Sequence, residues 1–127
     1  MPIPASWSPR ILSLLRIVAG LGLLQHGMSK YFGIPPFPMP LNPVLYVGGA
    51  IELVGGALIL LGLFTRPAAF VASGMCAVGY FMFHAPNGFF PAVNGGEAIM
   101  LYCFICLYLA AAGGGVWSID ALRKRAD

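Results

Sequence analysis

The chain has 127 residues, of which 59% are hydrophobic and only 9% charged, with a net charge of +3 and a mean hydropathy of +0.86. Soluble domains carry roughly 25% charged residues, so eleven Lys, Arg, Asp and Glu cannot cover a globular core with water-compatible surface. A soluble monomer, a nucleic-acid-binding module with its basic stripe and a disordered tail are excluded, which leaves one membrane-embedded domain over residues 1–127.

A spanning helix needs ~20 mostly apolar residues, and four such runs fit between the breakers. The first covers about 11–32 and is closed by Gly33-Ile-Pro-Pro-Phe-Pro-Met-Pro40, whose prolines cannot continue a helix. The second covers about 43–64 and stops at Thr65-Arg66-Pro67. The third, about 67–85, starts on Pro67, a residue suited to the first helical position, and ends at His84-Ala-Pro-Asn-Gly88. The fourth covers about 95–118. None alternates with the period of two that a spanning barrel strand requires, so the predicted fold is all-α, a four-transmembrane-helix bundle. Arg16 interrupts the first run and no small-x-small cleavage site follows it, so that run is expected to remain as a span.

Lys and Arg counts set the expected orientation. Arg10, Arg66 and Arg123-Lys124-Arg125 fall on one side against Lys30 on the other, which places both termini in the cytoplasm. Tyr31, Phe37, Phe89 and Phe90 then mark the outer interface, with Trp7 and Trp117 at the inner one.

Ionisable groups within hydrocarbon are costly, so each should face the bundle and find a partner. At ~1.5 Å rise per residue from the cytoplasmic end of each span, Arg16 lies ~8 Å deep, Glu52 ~18 Å, His26 ~22 Å, His84 ~25 Å, Lys30 ~28 Å and Glu97 ~31 Å. All but Arg16 fall in the outer half, and they come from all four spans. Arg16 leans toward the inner interface, where Asp120 or the inner turns are its expected partners. His26 and Lys30 share a helix face, and Gly48, Glu52 and Gly56 repeat every four residues, so a neighbouring helix can approach beside the carboxylate. These placements predict a polar pocket opening outward, with Glu52 near His26 and Glu97 near Lys30 or His84, bordered by Gln25, Tyr80, Asn87 and Asn94. The competing reading is that such buried charges only fix helix register.

Two histidines and two glutamates are too few and too irregularly spaced for a metal site, with no HxxxH or ExxH pair among them. Cys103-Phe-Ile-Cys106 has the spacing of a thiol redox motif, but it lies inside the fourth span, where an apolar setting keeps a thiol inert. It reads as buried packing, together with Cys76.

Leu15-Arg16-Ile-Val-Ala-Gly20, His26-Gly27-Met-Ser-Lys30, Glu52-Leu-Val-Gly55-Gly56, Leu61-Gly62, Arg66, Glu97 and Gly113-Gly-Gly115-Val-Trp-Ser118-Ile-Asp120, in this order, resemble the DoxX family of small four-helix bacterial membrane proteins. The resemblance covers about Ser8 to Arg123. It implies a multi-pass protein of the bacterial inner membrane in a redox setting. That setting is quinone-linked oxidoreduction, including a subunit type of thiosulfate:quinone oxidoreductase, or complexes that handle thiol and oxidative stress.

A quinone headgroup needs donors for its two carbonyls and a proton route within an apolar pocket. The residues expected to serve the chemistry are Glu52, Glu97, His26 and Lys30. Those expected to hold the quinone are His26, Lys30, Tyr80, His84 and Glu97, with Phe81, Phe83 and Phe104 as further walls. The chain has no haem-attachment, nucleotide-binding or cluster-ligand motif, so no metal, haem or nucleotide is expected, and electrons must come from a soluble or membrane oxidoreductase partner. The expected function is therefore a quinone-interacting subunit or membrane anchor, with the bilayer and a second copy of the chain as further partners and no nucleic acid. The alternatives are a structural or assembly protein without catalysis and a small-molecule or proton carrier.

Overall fold

The computed structural model describes residues 2–126, and every regular element among them is helical. Four apolar helices follow in order: α1, Ser8–Phe32; α2, Pro43–Leu61; α3, Thr65–Phe83; and α4, Glu97–Ala112. A short polar helix, α5, Ile119–Ala126, ends the chain. Three stretches are long and apolar enough to cross a membrane, Ala5–Phe32, Pro43–Leu61 and Thr65–Asn87. At 16 residues α4 is shorter, about 24 Å against a hydrocarbon thickness of about 30 Å.

The helix ends follow local chemistry and shift several expected boundaries. The Asn42 side chain accepts from Leu45 N at 2.9 Å and Pro43 fills the first position of α2. α2 stops at Leu61 rather than near 64, because Gly62 turns left-handed at φ 70° and sends the chain directly into α3. α3 begins at Thr65, two residues before Pro67, because Asp120 caps it from a distant segment: Oδ1 accepts from Phe64 N and Oδ2 from Thr65 N, each at 2.9 Å. α4 ends at Ala112 rather than near 118, where Gly113 at φ 86° breaks it. Residues 113–118 instead form an irregular segment packed on the end of the bundle where α1 begins; following the expected orientation, that end is called inner and the opposite end outer. The side chain of Arg125, part of the basic cluster used for orientation, lies outside the described residues.

α1 packs along α2, α2 against α3, and α3 along α4. In the first pair the backbones touch: a Cβ on Gly27 would lie 2.6 Å from Leu53 N, and one on Gly56 would lie 2.7 Å from Leu24 N. Membrane helices gain little from the hydrophobic effect and associate through such close packing. The solid core, formed by Ala19, Leu23, Ile59, Ala72, Cys76 and Leu109 among others, occupies the inner half of the bundle. The outer half holds a cavity.

Candidate functional site

The inner end is closed by a hydrogen-bonded knot. Arg16 is 1% exposed and donates from Nη1 to Gly114 O at 3.0 Å and from Nη2 to Trp117 O at 2.8 Å. Ser13 Oγ donates to Gly114 O at 3.1 Å and accepts from Trp117 N at 3.0 Å. The expectation that Arg16 pairs with the inner turns holds, and the reason is physical: residues 113–118 carry backbone groups that no helix satisfies, and buried irregular backbone must find partners within the protein. Gly62 leaves the space in which the guanidinium lies. Beside the knot, the Asp120 carboxyl is pushed up by burial but pulled down further by the Thr65 and Phe64 N–H groups and by Arg123, so its pKa falls below the ordinary value.

The cavity in the outer half has a volume of about 760 Å³, within the range of pockets that enclose drug-sized molecules. Its walls come from all four apolar helices and are mainly aliphatic, including Leu23, Val47, Ile51, Met75 and Ile99. Phe37 and Met39 of the proline-rich segment between α1 and α2 also line it, as does Gly95 from the loop before α4.

Four of the site residues predicted from sequence line this cavity: His26 and Lys30 from α1, Glu52 from α2, and His84 at the end of α3. The partner of Glu52 is Lys30 rather than the expected His26, and the two form an ion pair with side-chain exposures of 8% and 11%. A glycine explains the choice. Gly49, one turn before Glu52, lets the Lys30 stem lie across α2, since a Cβ there would sit 3.0 Å from Lys30 Cδ. The ammonium also lies 5.7 Å from the centroid of the Phe37 ring, a cation–π distance. Glu52 Oε1 takes Lys30 Nζ, while Oε2 has no hydrogen-bond partner among the described residues and is not sealed from the cavity.

Glu97 and Tyr80 do not line the cavity. Glu97 is exposed in the first turn of α4, where a carboxylate favours the helix N-terminus, and it pairs with neither Lys30 nor His84. Tyr80 lies behind the wall: its hydroxyl accepts from Asn94 Nδ2 at 3.0 Å, and its ring fills the space left by Gly96. Asn94 ties this corner together, donating also to Gly88 O at 3.0 Å and accepting from Gly96 N at 2.8 Å, and its carbonyl faces His84 Nδ1 at 3.3 Å. Tyr80 and Asn94 thus hold the loop that carries His84. Of the expected aromatic walls only Phe83 lines the cavity; Phe81 and Phe104 are exposed on the outside of the bundle.

Tyr102, which the sequence alone marks as a packing or interface aromatic, lines the cavity from α4 with its ring edge-on to His26 at 6.2 Å between centroids. Its signal lies on another helix: Gly22 of α1 is the gap into which the Tyr102 hydroxyl fits. Cys76 also lines the cavity, and all three cysteines are free thiols. Among the described residues no three His, Cys, Asp or Glu side chains converge as metal ligands do.

The fold and the site define a helical membrane protein whose outer half encloses an apolar cavity around a single ion pair. Residues 11–85 match the DoxX family, and the chain is 39% identical over 125 residues to an uncharacterized protein of Haemophilus influenzae, covering 90% of this chain and 91% of the relative. The chain belongs to the DoxX family. It is also similar to the inner membrane protein YqjF of Escherichia coli, at 32% identity over 125 residues, covering 91% of this chain and 88% of the relative. A third relative, named "Putative oxidoreductase CatD", from Bacillus subtilis, is 37% identical over 65 residues, which is 42% of this chain and 44% of that one. No solved structure matches. The matched region contains His26, Lys30, Glu52 and His84 but stops before Tyr102 and Glu97.

Proposed function

We propose that the chain is a quinone-interacting subunit or membrane anchor of an oxidoreductase system. In this reading it sits in the bacterial inner membrane, with α1 to α4 crossing the bilayer and both termini in the cytoplasm. The observation that carries the reading is the cavity: apolar walls around one cation, one anion, two imidazoles and one phenol, in the half of the bundle farther from the basic flanks. A bound quinone supplies a two-electron, two-proton couple. The electrons come from a partner oxidoreductase, because the chain has no sequence motif for an electron carrier of its own.

The residues present fit such a headgroup. Lys30 Nζ has N–H groups beyond the one given to Glu52, and the imidazoles of His26 and His84 can donate, so both carbonyl oxygens of a planar ring have donors within one apolar enclosure. Glu52 Oε2 is free to accept a hydroxyl proton, and the ion pair beside it keeps the local charge balanced. Tyr102 positions His26, and Asn94 with Tyr80 positions His84. Two further matches support the setting: the oxidoreductase name of the partial relative and the inner-membrane name of YqjF.

The test is extraction. Protein purified in mild detergent should carry quinone, identified by its absorbance on chromatography, and should bind added quinone. Protein that carries none and shows no binding to quinone or its analogues would refute the proposal.

A further inference from the structure

The shape of the cavity says how its ligand arrives. Its outward side is covered by the 33–42 segment, from which Phe37 and Met39 line the cavity. Prolines 35, 36, 38 and 40 restrict the backbone of that cover, so it is stiff. The inward side is the packed core and, below it, the Arg16 knot. Apart from the α1–α4 side, where His26 is exposed beside Tyr102, a side of a different kind lies between the outer halves of α2 and α3. There Val44, Val47, Gly48 and Ile51 form one stripe of α2, and Gly74, Val78 and Met82 form one stripe of α3, all of them lining the cavity. Val47 is 63% exposed and Val78 58%, on faces that meet lipid in a membrane. A Cβ built on Gly48 or on Gly74 meets nothing within 4 Å, so the two glycines leave open a slot rather than bringing helices together. Glu52 and Gly74 each lie nine residues from the outer end of their helix, about 14 Å, which puts the slot at the level of the ion pair.

We infer that this slot is the ligand's route and its tail site: the molecule enters sideways from the bilayer between α2 and α3, its polar head stops at Lys30 and Glu52, and a long apolar tail stays in the slot between Gly48 and Gly74. The inference rests on the quinone reading of the head site and narrows it to quinones with a long apolar chain, as against water-soluble ones. A tail continues the apolar path from the cavity into lipid along Val47 and Val78, a path that a water-soluble ligand would not use. The slot is thus part of the site, and its glycines are there for the ligand rather than for the fold.

The experiment compares two probes on the full chain in detergent: a tail-less dimethoxy-methyl benzoquinone and the same headgroup carrying a decyl tail. Affinities are measured for the wild type, Gly74→Leu and Gly48→Leu, and thermal unfolding checks each variant's fold. Each probe is compared across proteins at fixed detergent, so partition into micelles cancels. A buried methylene is worth about fourfold in affinity, so a leucine that displaces two of them weakens the decyl probe about fifteenfold and leaves the tail-less probe within about twofold. A Cβ at either position meets nothing within 4 Å, and the two variants, on opposite walls, check one another. If the wild type binds both probes and folded variants weaken neither, or weaken both equally, the lateral route is wrong while the quinone site stands. A wild type that binds neither probe overturns the quinone reading, and the route with it.

Discussion

Replacing one member of the Lys30–Glu52 pair should cost far more than replacing both. The side chains are 11% and 8% exposed, so removing one leaves the other as a nearly buried lone charge. Breaking a buried pair in this way costs about 3–5 kcal/mol, whereas exchanging both members for apolar residues of similar volume is close to neutral. The surroundings place each variant within that range. In Lys30→Met, His26 and His84 border the same cavity and share the orphaned carboxylate's field, so the cost belongs at the lower end, about 3 kcal/mol. In Glu52→Met no other acid is at hand: Glu97 is exposed outside the cavity and Asp120 is held at the inner end by Phe64 and Thr65. The cost there belongs at the upper end, about 5 kcal/mol, and the Lys30→Met/Glu52→Met double variant should return to within about 1 kcal/mol of wild type. Denaturant- or heat-induced unfolding in detergent, followed by circular dichroism, measures all four corners of the cycle. Neutral hydrogen bonds between membrane helices average only ~0.6 kcal/mol, so single variants near that figure would refute the argument from buried charge. A double variant as unstable as the sum of the singles would refute it equally. If the double variant is folded, it should still fail to retain quinone, which separates the site's role in binding from its role in stability.

Gly56→Ala would set a Cβ 2.7 Å from Leu24 N, so α1 and α2 must part; a loss of about 1–3 kcal/mol is expected in the same unfolding assay, against no loss for Gly74→Ala. Arg16→Met removes the only side-chain donor to Trp117 O among the described residues and should cost about 2 kcal/mol, with faster proteolysis of residues 113–118 as the local readout. Asp120→Ala removes the cap on α3 and should cost about 1 kcal/mol. Because the folded carboxyl titrates below its ordinary value of 3.8, that contribution is present above pH 3.8 and is lost as pH falls through the lower folded value. The stability gap between wild type and Asp120→Ala should therefore stay constant from neutral pH down to about 4 and close only below it.

The apolar helices and most of the cavity's polar side chains were legible because membrane proteins write them coarsely. A run of apolar residues ended by Thr65-Arg66-Pro67 or by Pro35 and Pro36 is plain to see, though Gly62 ends α2 three residues earlier than that reading has it, and few ionisable groups compete for the interior. Depth alone brought Lys30, Glu52, His26 and His84 into one half of the bundle. What depth could not supply was azimuth, the direction in which a residue at a given level points. Glu97 and Tyr80 had suitable depths, yet Glu97 starts its helix on an outer face and Tyr80 lies behind the cavity wall. Tyr102, at comparable depth, points inward. The pairing of Glu52 with Lys30 turned on Gly49, a residue with no side chain to attract notice. Likewise, the early end of α4 depended on an arginine one hundred positions away that satisfies the loop's carbonyls; the glycine run marked the place without revealing its partner.

The two buried cationic sites are built on opposite principles, and the difference bears on which end works. Arg16 is held by neutral carbonyls of its own chain, a guanidinium being always charged and its fork matched to two acceptors, so the Arg16 site can neither exchange a proton nor admit a ligand without undoing the fold. Lys30 is held by a carboxylate with one oxygen to spare, beside two imidazoles and an apolar space of about 760 Å³. A pair of that kind can trade a partner for a ligand atom at little cost, because the arriving group replaces a hydrogen bond as it takes one. The inner half therefore has the character of a scaffold, and the outer half is where the proposed site lies. Glycines serve two purposes: at Gly27 and Gly56 they let backbones touch, and at Gly48 and Gly74 a Cβ would meet nothing within 4 Å, which leaves the space that the proposed tail would take.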